Sequence, residues 1–178
     1  DGDGSTTTLY DGVPVMFHHA LSMLTVKAKA AATYTGYTFT INSIILTIDD
    51  QATLTAKAAP GSTADASWTT ATSEQSKSLT LTEAAAALTT DNLQMTDPVL
   101  VIPQPLDASE EDGYDKLVIN YTLTHNSVPS TTEKTIYIKK ASTLENLAAN
   151  TKYNLNLEFS LTEIKYSPDV TPWESAED

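Results

Sequence analysis

The chain has 178 residues, 10 Lys+Arg against 23 Asp+Glu, a formal charge of −13 and no cysteine. That length supports one domain with its own apolar core, and the missing cysteines exclude disulfide staples, thiolate metal sites and thiol chemistry. All the cations are Lys, so nucleic-acid, phosphate and anionic-membrane partners are disfavoured, because they call for basic patches and guanidinium forks.

Threonine is the compositional outlier, at 29 residues. It is β-branched and serves as a polar filler on solvent-facing strand positions. Six Gly and eight Pro do not make a disordered composition. No run of 18 apolar residues exists to span a membrane directly, and no signal peptide is visible. The chain opens at Asp1-Gly2-Asp3-Gly4 without Met, which reads as a processed or cut-down piece.

Residues 1–12 are small and polar and read as a flexible lead-in. Val13, Val15 and Phe17 alternate as a strand would. From Ala20 on, Leu24, Val26, Ala28 and Ala30 alternate against Thr25, Lys27 and Lys29, the pattern of a half-buried strand. Tyr37, Phe39 and Ile41 repeat it, and Ile44, Leu46 and Ile48 resume it after Asn42-Ser43, which reads as a bend, bulge or short turn. Residues 56–78 hold few large apolar side chains and read as a long connection anchored by Trp68. Leu79-Thr80-Leu81 is a short strand candidate. Thr82–Leu93 has the alanine content of a helical turn or two, with Thr82 as cap and Glu83 in the first turn. Val99–Ile102 reads as a strand stopped by Pro103-Gln104-Pro105.

Asp107–Asp115 is an acidic turn. Leu117, Ile119, Tyr121 and Leu123 alternate. Asn126–Ser130 reads as a hairpin turn into a strand at Thr135–Lys139. Ser142 with Glu145 forms a capping-box pattern, which predicts a short helix over Ser142–Ala148. Tyr153, Leu155, Leu157, Phe159 and Leu161 then give the strongest strand signal in the chain, with all five expected to face the core. A phase shift at Glu163-Ile164 reads as a bulge. Ile164, Tyr166 and Trp173 complete the apolar set, and residues 174–178 are an acidic, frayed tail. About eight strands with few helices predict an all-β, antiparallel sandwich spanning residues 13–173, with one or two short helices.

The chemistry-bearing residues are sparse. His18 and His19 are adjacent, so on a strand they point to opposite faces and do not share a metal readily. His125 stands alone near a turn, and no G-x-S-x-G frame or equivalent is present, so no catalytic residue is assigned. Asp1-Gly2-Asp3-Gly4-Ser5 begins like a Ca²⁺ loop, but the twelfth position is Gly12 where a bidentate Glu belongs. Asp107, Glu110, Glu111, Asp112 and Asp115 read as a solvated acidic turn, and no metal or cofactor is assigned. Asn120-Tyr121-Thr122 fits a glycosylation pattern but falls inside a strand. Trp68, Trp173 and the tyrosines are the rings that could stack on a glycan, and Trp68, in its polar connection, is either an exposed ligand contact or a loop anchor. Trp173 reads as core or seal.

Three stretches together carry a family resemblance. Phe17-His18-His19-Ala20-Leu21-Ser22-Met23-Leu24-Thr25-Val26 resembles the opening F-x-H-A-L-A/S-x-L-x-V of the C-terminal domain of fimbrillin-like proteins. Leu100-Val101-Ile102-Pro103-Gln104 resembles its mid-chain IPQ segment. Leu147–Trp173, with Tyr153, Leu155, Leu157 and the closing Val170-Thr171-Pro172-Trp173, resembles its end. These are pilin and tip-adhesin subunits of anaerobic Gram-negative bacteria. The resemblance implies a transthyretin-like Greek-key sandwich, export as a lipoprotein to the outer membrane, and fimbrial assembly with other subunits by strand exchange after proteolytic maturation. It also implies a longer precursor, since the family's lipidated Cys and N-terminal sandwich are not in this chain. The expected function is a structural and adhesive fimbrial subunit, not an enzyme. The alternative is a carbohydrate-binding module of a surface lipoprotein, with Trp68 at the contact.

Overall fold

The computed structural model describes residues 19–55, 67–70, 74–82, 86–107, 115–139 and 141–173. In chain order the strands are β1 (Ser22–Ala30), β2 (Tyr37–Asp49), β3 (Ala52–Thr55), β4 (Ser67–Thr70), β5 (Glu74–Ser78), β6 (Leu93–Gln94), β7 (Val99–Val101), β8 (Gln104–Pro105), β9 (Lys116–His125), β10 (Val128–Tyr137), β11 (Asn146–Leu147), β12 (Thr151–Phe159) and β13 (Ile164–Pro172). One sheet runs β13-β12-β1-β6, with β7 also paired to β1. The other runs β10-β9-β2-β5, and β11-β8 and β3-β4 form small ladders. The two main sheets make an all-β sandwich. Their pairings are antiparallel except β1 with β12, which lie parallel with Leu24 beside Tyr153 and Ala30 beside Phe159.

The core follows from strand period. Leu24, Val26, Ala28 and Ala30 point inward from β1, and Tyr153, Leu155, Leu157 and Phe159 from β12. Phe39, Ile41, Ile44, Leu46 and Ile48 meet them from β2, with Leu117 and Ile119 from β9, in one buried cluster. The alanines at 28 and 30 leave space that aromatic rings fill. Phe159 lies 5.7 Å from Phe39 and 5.3 Å edge-on to Tyr121, so three rings bridge the sheets. The predicted interruption in β2 is a bulge, with Ile41 opposite Tyr121 and Ser43 opposite Asn120, leaving Asn42 as the extra residue.

The structure departs from the sequence reading at several points. No helix occurs among the described residues. Ser142 does cap, but it closes a turn: its hydroxyl accepts from Leu144 N–H and donates to Ile138 O, and the chain goes straight into β11. Of the stretch expected to be helical over Thr82–Leu93, Glu83 and residues 84–85 lie outside the described residues, and the rest is not helical, with Ala87 bridged to Thr40 and Leu88 N–H bonded to Phe39 O. The connection expected over 56–78 contains all of β4 and β5. Leu79–Leu81 forms an isolated bridge to Thr96 instead of a strand. The turn at Asn126 has only two residues, Asn126 (φ 47°) and Ser127 (φ 68°), and β10 begins at Val128. Two positive φ values in a two-residue loop define a type I′ turn, the form that matches strand twist. Gly36 (φ 77°) sits against it, and a Cβ there would lie 2.7 Å from Asn126 Oδ1. The phase shift near Glu163 is a hairpin turn, because Phe159 pairs with Ile164. Leu161 lies in that turn and is 45% exposed, so four of the five expected residues face the core. Residues 1–18 and 174–178, including Val13, Val15, Phe17, His18, the Asp1–Ser5 stretch and the predicted tail, lie outside the described residues.

Candidate functional site

Parts of all three motif stretches, residues 19–22, 102–104, 147–153 and 173, meet at one end of the sandwich. β1 starts there and β2 ends there. Asn150 is the hub. It sits at φ 54°, a left-handed conformation that Asn tolerates, between β11 and β12. Its side-chain oxygen accepts from His19 N–H (3.1 Å), its N–H donates to Leu21 O (3.1 Å), and its carbonyl accepts from Trp173 N–H (2.9 Å). The Trp173 ring stacks on His19 with centroids 3.8 Å apart and planes 16° apart. Ser22 donates its hydroxyl to Ala148 O (2.7 Å), and Tyr153 Oη accepts from Ala148 N–H (2.7 Å). Beginning and end of the described chain are thus joined through residues 148–150.

Gln104 of the mid-chain stretch closes the same end. It is buried, and its amide replaces a strand partner for the last residue of β2. Oε1 accepts from Asp49 N–H (3.1 Å), while Nε2 donates to Asp49 O (3.0 Å) and Ile102 O (3.1 Å). Through β8 it also pairs with Leu147 of β11. Pro103 and Ile102 are half-buried beside it, and Leu24, Val26, Leu155 and Leu157 are core. Ala20 contributes its carbonyl, which accepts from the Trp68 indole N–H at 2.7 Å. Trp68 is therefore a half-buried anchor of the β3-β4 hairpin, with its one polar atom already used.

The remaining candidates do not gather. His125 is exposed and stacks on Tyr37, with Asn126 Nδ2 3.0 Å from its Nε2. Asp115 is buried and accepts from Asp107 N–H at 2.6 Å, while Glu110, Glu111 and Asp112 lie outside the described residues. No group of three or more His, Asp or Glu suited to a metal occurs among the described residues. Asn120, of the glycosylation pattern, is half-buried in β9 and accepts from Asn42 Nδ2 at 2.8 Å.

Two clefts mark the flanks of the sandwich. Between β2-β5 of one sheet and β7 of the other, a cleft of about 190 Å³ is floored by Leu46, Ile48, Val99 and Ile102. The edge beside it is built of short pieces: β1 is covered by three-residue β7 and two-residue β6, with Met95 N–H and the Thr96 hydroxyl bonded to Val26 between them. Leu100, 57% exposed, projects at its rim. On the other flank, between edge strands β10 and β13, a cleft of about 390 Å³ meets Tyr166. Burial pushes the Tyr166 phenol well above its ordinary range. Its Oη has no hydrogen-bond partner among the described residues, and the nearby Ser142 hydroxyl, committed elsewhere, offsets little of that. On the outer face, Lys29 Nζ pairs with Glu158 Oε2 at 2.9 Å and holds that carboxyl below its usual range. Sequence reasoning missed the roles of Asn150 and Asp49, while Ser22 fell within the first motif stretch without a role assigned. The only local signal was an Asn between Ala149 and Thr151, ahead of a strand.

The fold is a two-sheet all-β domain in which motif residues join the beginning and the end of the described chain. Residues 3–173 match the model of the fimbrillin-like family, and the chain belongs to that family. Among solved structures it is similar to a candidate cell adhesion protein of Bacteroides uniformis, at 19% identity and TM-score 0.51, covering 91% of this chain and 54% of that one. It is also similar to a fimbrial protein of Bacteroides vulgatus, at 16% identity and TM-score 0.51, covering 88% of this chain and 55% of that one. The chain therefore spans about half the length of these neighbours, and at these identities the likeness is one of fold. No protein with a curated description matches the sequence.

Proposed function

We propose that the chain is a domain of a structural and adhesive subunit of cell-surface fimbriae, joined to other subunits by β-strand complementation. Membership of the fimbrillin-like family across residues 3–173 is the observation that carries this reading. The reading is non-enzymatic, and it places the protein at the outer membrane surface after export as a lipoprotein. The transthyretin-like Greek key belongs to the same proposal.

The cleft between β5 and β7 supports the assembly step. An incoming strand needs unpaired main-chain groups at a sheet edge and alternate apolar pockets for its side chains. Edge strands β5 and β7, each paired with a neighbour on one side only, support the first, and the Leu46-Ile48-Val99-Ile102 floor the second. The test is concentration-dependent laddering of the full-length, protease-matured protein. Leu100→Asp, at the exposed rim, should weaken laddering without unfolding the domain. A matured protein that stays strictly monomeric, with fimbriae unchanged on gene deletion, would refute the proposal.

A further inference from the structure

The opposite end of the sandwich holds a small cavity that none of the motif residues lines. It measures about 250 Å³ and lies between the β1–β2 loop, the start of β2 and residues 88–90. Its walls carry two tyrosine rings, Tyr34 and Tyr37, with buried Phe39 as a third aromatic, and four threonines, Thr33, Thr38, Thr89 and Thr90. No Asp, Glu, Lys or His lines it, in a chain of formal charge −13. The larger groove on the outer sheet face, by contrast, is walled by Lys29, Glu158 and Lys165.

The cavity is built before any ligand arrives. Residues 88 and 89 bridge the two sheets, with Leu88 N–H donating to Phe39 O (2.8 Å) and Thr89 O accepting from Ala30 N–H (2.7 Å). Both rings are held in place by neighbours. Tyr34 stands edge-on to Phe39 at 6.0 Å and 74°, and Tyr37 lies flat on His125 at 4.1 Å and 8°. Fixed rings lose little freedom on binding, which favours affinity. The hydroxyls of Thr33, Thr38, Thr90, Tyr34 and Tyr37 have no hydrogen-bond partner among the described residues.

We infer that this cavity binds one neutral sugar residue, at the end of a glycan chain. A pyranose combines an apolar C–H face with a rim of hydroxyls, which matches two aromatic walls and free threonine hydroxyls. The absence of a lining cation gives an anionic sugar no counter-charge, and the field of the acidic chain opposes its approach. The volume lies below the ~300–1,000 Å³ of pockets for drug-sized ligands, which limits the occupant to about one ring. This site goes beyond the assembly reading and does not depend on it. It also moves the glycan contact away from Trp68, which is pinned to Ala20.

The test is saturation-transfer NMR on the full chain with millimolar neutral hexoses and N-acetylhexosamines, and with sialic acid as the anionic comparison. Transfer to the ring protons of at least one neutral sugar is expected. Ala32→Trp, which places bulk at an exposed lining position, should weaken it at least tenfold, while Trp68→Ala leaves it unchanged. Tyr34→Phe removes one hydroxyl and no wall, and should weaken binding about threefold; it keeps the test decisive if Ala32→Trp does not fold. No transfer from any neutral sugar, a preference for sialic acid, loss on Trp68→Ala, or unchanged binding in the folded pocket variants would overturn the inference. Laddering of the matured protein is read separately, so failure of one reading leaves the other standing.

Discussion

The two ends of the sandwich use their polar groups in opposite ways. At the motif end, Asn150, Gln104, Ser22 and Tyr153 spend their side-chain polar atoms on main-chain groups 2 to 131 positions away. At the tyrosine end, the aromatic rings are fixed by other rings, and the threonine hydroxyls stay largely free. A polar side chain bonded to buried backbone is part of the structure, because removing it strands a partner away from water. One that faces a cavity unbonded costs little to the fold and is available to a ligand. The contrast separates residues that make the domain from residues that could give it a specific surface.

Substitutions can break or sharpen this contrast. The largest effect should come from Phe159→Ala, because Phe159 is the ring on which the tyrosine end closes and is fully buried. A loss of about 3–5 kcal/mol is expected in denaturant melts. Gln104→Ala tests the motif end. It strands both main-chain groups of Asp49 and should cost about 2–3 kcal/mol; a loss near zero would mean that water replaces the amide and that the end is less interlocked than its geometry implies. Asn150→Ala should cost about 1–3 kcal/mol, from the left-handed backbone and the lost bond to His19, and the same melts should show Asn150→Gly recovering part of it. At the tyrosine end, Ser127→Gly should instead stabilise by about 0.5–1 kcal/mol, since φ 68° suits glycine.

The smallest effect lies on the outer face between the two ends. Lys29 lowers the Glu158 pKa, so the ionised form is favoured in the folded state. The stabilisation is therefore present above the ordinary carboxylate pKa and is lost as pH falls through the lowered folded value. Urea melts of Glu158→Gln should fall slightly below the parent at neutral pH and converge with it in acid. A gap that persists at low pH would assign the effect to packing instead of charge.

Much of this architecture is legible in the sequence, and the failures have physical causes. β1, β2 with its bulge, β9 and β12 bury one face each, and burial writes a period of two into the residues. β10 is an edge strand exposed from Val128 to Lys134, so no alternation marks it until Ile136. β4 and β5 are largely exposed and fall in the stretch that reads as connection, and β3, mostly exposed too, carries no alternation to mark it. Ser142 satisfies a capping pattern and a turn equally well at the local level, and only the demand for Leu147 in the core selects the turn. Leu161 continues the alternation of β12, but the hairpin back to Ile164 turns it out to solvent.

The sequence by itself determined which face of each buried strand points inward, and it carried the three stretches that identify the family. Side-chain direction is fixed by covalent strand geometry, so it needs no knowledge of the rest of the chain. Which strands become neighbours was decided only by the tertiary structure. Leu24 lies beside Tyr153 in a parallel pair, and His19, Asn150 and Trp173 meet at one end. Such pairings depend on burying both sheets at once, a sum over the whole chain that no local pattern contains.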